Sequence, residues 1–175
     1  VEKLLSLQKR FGATHEAGAV SEALRLGAVL ASHDDTTEDH VATSFANGIG
    51  FAEFPTTIEA AQACRTRGIA VMMGAPNLIR GGSHSGNVAA SDLARTDLLD
   101  IVSSDYVPSA LLAAAFRLAQ IWNDLPRAIA TVTHNPAKAV GLHDRGILAT
   151  GLRGDVLRVR KLGQTALLCG VWSQG

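Results

Sequence analysis

At 175 residues the chain is long enough for one ordinary domain with a sizeable core. It is 47% hydrophobic and 18% charged, which excludes an intrinsically disordered polymer. Sixteen basic residues balance sixteen acidic ones, so net charge argues for neither nucleic acid nor an anionic membrane as partner, and any anion site must be local.

In chain order the pattern is helix, then strand alternating with helix. Residues 1 to 11 and 16 to 26 carry apolar residues at helical spacing, and Gly27 stops the second run. Ala28-Val29-Leu30-Ala31 is a short apolar strand ending at Ser32-His33-Asp34-Asp35. A helix is expected over 38 to 47, ended by Gly48. Ile49-Gly50-Phe51-Ala52 is the next strand, followed by Glu53-Phe54-Pro55. Thr57 is placed as the N-cap of a helix over 58 to 67, which Gly68 terminates. Ile69 to Met73 reads as a buried strand. A helix near 90 to 95 precedes the fourth strand, Leu99 to Val102, which ends at Ser103-Ser104-Asp105-Tyr106. Pro108 opens an Ala/Leu-rich helix to about 121, and a further helix covers 124 to 131. Short apolar strands bounded by turn signals, alternating with helices, mean βαβ units and a parallel sheet, hence an α/β fold. After residue 145 glycines separate short apolar runs, as small antiparallel strands require. The expected division is therefore 1–145 and 146–175.

No apolar run approaches the roughly 20 residues that a bilayer crossing needs. No signal-peptide pattern opens the chain. Cys64, in a helical pattern, and Cys169, in an apolar run, read as reduced core thiols rather than a disulfide. A cytoplasmic protein is expected. The chain opens on a helical pattern with Val1 instead of Met, the appearance of an incomplete protein or of a processed N-terminus.

The most informative stretch runs from Gly74 to Asn87. It packs four glycines, Arg80, His84 and several small polar residues into fourteen positions, and is expected to be a loop with nothing to contribute to a core. Glycine lets backbone approach a ligand closely, and arginine offers a fork of donors suited to phosphate or carboxylate. The loop lacks the Lys-Ser/Thr ending of a P-loop and has no GxGxxG, so a Walker-type nucleotide site is excluded.

In a parallel α/β fold the strand C-termini share one face. That face would carry His33, Asp34 and Asp35, then Glu53, then Asn77, Arg80 and His84, then Ser104 and Asp105. Each has an ordinary structural reading, as a helix cap or a solvated turn residue; their recurrence at four strand ends favours a site. Histidine with carboxylates suits a divalent metal that supplies hydroxide near neutral pH, and an aspartate beside it can take the proton of water. The glycine loop suits a polyanion. His15 and His40 fall in helical patterns as surface residues, His134 reads as a helix cap, and His143 lies in the tail.

These residues resemble the amidohydrolase superfamily, and within it the diphosphatases of the carbon–phosphorus lyase pathway. The matching motifs are Ala31-Ser32-His33-Asp34-Asp35-Thr36-Thr37, Ala52-Glu53-Phe54-Pro55-Thr56-Thr57, Gly74 through Asn87, Ser103-Ser104-Asp105-Tyr106-Val107-Pro108 and Thr133-His134-Asn135-Pro136-Ala137. Gly141-Leu142 through Gly146 and Gly151-Leu152-Arg153-Gly154-Asp155 resemble the superfamily's closing segment. The resemblance implies the C-terminal half of a (β/α)8 barrel, with strands five to eight present, plus a short C-terminal β segment of a small β-sandwich domain. It implies a divalent metal, zinc with manganese or iron as alternatives, held by His33 and Asp105, with either Glu53 or His84 as a further ligand. Asp105 would also be the catalytic proton carrier. Asn77, Arg80, Gly81, Gly82, Ser83 and His84 fall where the substrate's phosphates would lie.

The implied substrate is α-D-ribose 1-methylphosphonate 5-triphosphate, hydrolysed to the 5-phosphate and pyrophosphate. The superfamily's first-strand His-x-His pair has no counterpart here, so the N-terminal half of the barrel is the expected partner, and the chain alone is expected to be inactive. A homo-oligomer stays open. Two alternatives stand beside this reading: a cyclic-amide hydrolase or deacetylase whose arginine grips a carboxylate, and a non-catalytic phosphate-binding or scaffold subunit.

Overall fold

In the computed structural model, residues 2–83, 86–163 and 165–175 are described. Four short strands, β1 (Ala31–His33), β2 (Phe51–Glu53), β3 (Ala70–Gly74) and β4 (Ile101–Ser103), form one parallel sheet in sequential order. Helices α2 (Glu38–Ala46) and α3 (Ile58–Thr66) link the first three strands. Helices α4 (Ala75–Arg80) and α5 (Ala90–Arg95) link β3 to β4. Helices α6 (Ala110–Trp122), α7 (Leu125–Ala130) and α8 (His134–Ala139) follow β4, and α1 (Glu2–Arg25) precedes the sheet. Strands β5 (Val156–Leu162) and β6 (Thr165–Trp172) make a separate antiparallel pair. The architecture is half of a (β/α)8 barrel followed by a small antiparallel sheet.

Register aligns the strand ends. His33 lies beside Glu53, Glu53 beside Met72, and Met72 beside Ile101. Beneath this row Ala52, Val71, Met73 and Val102 pack against Val41, Cys64, Leu93 and Leu118 from the helices, all of them buried. Full burial of one such leucine contributes about 1.5–3 kcal/mol. Ala60, Ala61, Ala63 and Ala114 are buried too, and their small side chains let helices approach the strands closely. Side chains close the helix starts: the Thr37 hydroxyl accepts from His40 N, Thr57 from Ala60 N, and the Asp124 carboxylate from Arg127 N. Segment 131–135 is tied to β4, with Val102 N–H donating to Thr131 O at 3.0 Å and Asn135 Nδ2 to Asp100 O at 2.7 Å.

Four expectations are corrected. The two helices expected over 1–11 and 16–26 are one helix, α1, which Gly12 and Gly18 do not interrupt. A mid-helix glycine costs only about 1 kcal/mol relative to alanine. None of the residues of α1 is buried, and Leu4 is 71% exposed. The Gly74–Asn87 stretch is not all loop and does feed the core: residues 75–80 are helical, and Ala75, Pro76 and Leu78 are buried. Pro76 presets φ in the first turn, and Gly81, left-handed at φ 84°, ends the helix. Strands β1, β2 and β4 begin two or three residues later than expected, because the apolar runs start in the turns before them. Cys64 is buried but Cys169 is exposed on β6, since a two-stranded sheet has too few neighbours to cover both faces. Among the described residues no helix is long and apolar enough to cross a membrane.

Candidate functional site

At three of the four strand ends the chain turns through a left-handed residue that is not glycine: Asp34 (φ 61°), Phe54 (φ 55°) and Asp105 (φ 50°). Aspartate tolerates this region because its short polar side chain can bond locally; a phenylalanine there stores strain on the order of 1–3 kcal/mol. The surrounding hydrogen bonds hold the turns. Asp34 N–H donates to Glu53 O at 3.0 Å, and Phe54 N–H to Met72 O at 2.9 Å, so the ladder runs on past each strand. The Thr56 hydroxyl donates to the Thr36 hydroxyl and the Thr57 hydroxyl to Thr36 O, lacing the first two βα loops together.

These turns place the expected residues as follows. The His33 imidazole is exposed at the tip of β1, with Nδ1 3.0 Å from the Asp34 carboxylate and its ring edge-on to Phe54 at 5.2 Å. Glu53 is half-buried at the tip of β2. Asp105 lies two residues beyond β4 and reaches over the end of β3, where its carboxylate packs against Gly74. Arg80 is the last residue of α4, its guanidinium 5.6 Å from the centre of the Tyr106 ring. The Asn77 side-chain oxygen accepts from Ala90 N–H at 2.9 Å, while its backbone oxygen accepts from Gly81 and Gly82 N–H. Asn77 thereby joins the end of α4 to the start of α5. His84 lies outside the described residues. Asp35, read as one of the polar strand-end residues, is instead buried and receives the hydroxyls of Ser32 and Ser44, which gives it a structural job.

A cleft of about 180 Å³ opens at these tips. It gathers Asn77, Arg80, Gly82, Ser83 and Asp105, and adds Asp34, Phe54 and Tyr106. His33, Glu53 and Gly81 do not line it. The parts played by Phe54 and Tyr106 were missed in the sequence; the signal was an aromatic directly after a polar strand-end residue in both Glu53-Phe54 and Asp105-Tyr106.

The electrostatics of the cleft bear on metal binding. Among the described residues, its charged lining is two carboxylates, Asp34 and Asp105, and one guanidinium, Arg80. Such a lining repels a polyanion and attracts a cation, which in turn would invert the field. Yet among the described residues no three His, Cys, Asp or Glu side chains come close enough together to hold a metal ion. His33 ends β1 and Asp105 follows β4, the two outer strands of the sheet. A catalytic zinc takes three protein ligands. These residues supply donors of the right kind but do not by themselves make up a metal site.

No family model matches the chain. Over 177 aligned residues it is 48% identical to the α-D-ribose 1-methylphosphonate 5-triphosphate diphosphatase of Escherichia coli (strain K12), a match that takes in 99% of this chain and 47% of that enzyme. The chain is a homologue of this diphosphatase. It spans about half the length of that curated relative. Among solved structures, a prolidase complexed with N-methylphosphonate-L-proline superposes with a TM-score of 0.66 at 17% identity, covering 89% of this chain and 46% of the prolidase. A molinate hydrolase superposes at 0.61 and 16% identity, over 89% of this chain and 44% of that one. At such identities the likeness is one of fold, and it matches half of a larger structure in each case.

Proposed function

We propose that the native protein is a metal-dependent diphosphatase that hydrolyses α-D-ribose 1-methylphosphonate 5-triphosphate to the 5-phosphate and pyrophosphate. The observation that carries this reading is the 48% identity to an enzyme of that name across 99% of the chain. The fold alone would not choose this substrate.

In the proposed roles, Arg80 meets the phosphate oxygens with its planar fork, beside Ser83 and the Gly81-Gly82 backbone. His84, in the same segment, assists. Asp105 accepts a proton as a water oxygen bonds to the phosphorus nearest the ribose, and returns it as the bond from that phosphorus to the pyrophosphate oxygen breaks. His33 and Asp105, with Glu53 or His84, would be donors toward a divalent metal, with zinc favoured over manganese or iron, and further donors would come from outside these 175 residues. Residues 1–145 would form the hydrolase part, and 146–175 strands of a smaller β unit.

The test is pyrophosphate release from the triphosphate by the native protein, with these 175 residues alone expected to be inactive. Release of no pyrophosphate, together with hydrolysis of a cyclic amide, would overturn the substrate assignment. A second reading is a phosphate-binding subunit without catalysis, which the lack of a His-x-His pair in these 175 residues would suit. Stoichiometric metal in the purified native protein would refute it.

A further inference from the structure

Gly74 closes β3 with φ −77° and ψ 137°, extended backbone that any residue adopts. Its lack of a side chain is therefore not a demand of the backbone. It is a demand of space. A Cβ built on Gly74 would stand 3.0 Å from Asp105 Oδ2, 3.3 Å from Asp105 Cβ and 3.4 Å from Phe54 Cε1. The first two contacts are tighter than side chains ordinarily make, so the carboxylate would have to move.

Two independent features serve the same placement. The left-handed turn at Asp105 (φ 50°) carries its side chain back toward β3, and the bare end of β3 leaves room to receive it. The third contact reaches the other side of the site, since the Phe54 ring that borders Gly74 is also edge-on to His33. We infer that Gly74 is a positioning residue: the absence of a side chain there sets where the Asp105 carboxylate stands over the strand ends. The inference rests on the reading of Asp105 as the proton carrier.

The test is Gly74→Ala in the native protein, read as kcat, KM and thermal stability together. A misplacement of about 1 Å at a reacting group can cost about 100-fold in rate, and here the carboxylate would give by a few tenths of an ångström. Gly74→Ala is expected to lower kcat by roughly 3- to 10-fold, with KM changed by less than about twofold and the protein still folded. A wild-type kcat would overturn the inference, and so would a fall in activity matched by an equal loss of folded protein. Asp105→Asn separates the two levels of the argument. If it turns over like the wild type, the reading of the site fails; if it is inactive while Gly74→Ala is fully active, only the role of Gly74 fails. Should Gly74→Ala not fold, Gly74→Ala/Phe54→Leu removes the ring that the new methyl meets. Its kcat is expected to fall relative to Phe54→Leu alone by the same factor, and equality would overturn the inference.

Discussion

The tips of the βα units and their bodies obey opposite rules. In the bodies, Leu93, Leu118, Val41 and Val71 are fully buried, side chains cap α2, α3 and α7, and the strands lie in register. At the tips, a few residues away, backbone is left-handed at Asp34, Phe54 and Asp105, and the His33–Asp34 pair stands open to solvent. The bodies hold stability, and the tips use some of it to aim side chains. This is the division that parallel α/β folds allow, because the loops at one end can vary without disturbing the core. It also predicts that substitutions in the two regions will fail in different ways.

The largest effect is expected at a tip. Asp105→Asn should lower kcat about 1,000-fold, in the middle of the range for losing a general acid–base group. Thermal unfolding should hardly change. A melting point several degrees lower would show that Asp105 belongs to the bodies after all. Leu118→Ala, in a body, should do the reverse. Removing a fully buried leucine side chain costs about 2–5 kcal/mol, to be measured by denaturant unfolding, while the surviving folded fraction keeps its kcat.

The two thiols sharpen the comparison through chemistry. Burial, reinforced by the nearby charge of Asp35, pushes the Cys64 thiol up to about 11. The thiolate is the reactive form, so at pH 8 Cys64 should react with a disulfide reagent about 100-fold more slowly than an ordinary exposed thiol. Cys169, exposed on β6, should react promptly. Two fast thiols would mean that the body around α3 opens readily. The smallest effect is expected where a body meets a tip: Thr57→Ala loses the cap on Ala60 N–H and should cost about 1 kcal/mol. A larger loss would point to its second bond, from the Thr57 hydroxyl to Thr36 O, which ties neighbouring loops together.

The bodies were legible in the sequence for a local reason. Apolar spacing, Thr57 before one helix and Gly48 and Gly68 after two are signals carried within about ten residues, and α2 and α3 fall within a residue of where those signals put them. The tips were half legible. His33, Glu53 and Asp105 could be assigned to strand ends, because polar residues following apolar runs mark the exits of buried strands. The α4 helix was hidden by its glycines, since composition alone does not tell a loop from a short helix that Pro76 starts and Gly81 ends.

By itself, then, the sequence determined the order of the strands and the parallel class of the sheet, which follow from residue types and their spacing, and it carries the 48% identity to a diphosphatase. Only the tertiary structure decided that Asp35 is buried under two serines while Asp34 lines the cleft, and that Asn77 spends its side chain on Ala90 N–H. It alone placed the Asp105 carboxylate against the bare end of β3. The contacts of Asn77 with Ala90 and of Asp105 with Gly74 join residues more than ten positions apart, and they are set when the elements pack together and not by any neighbour along the chain.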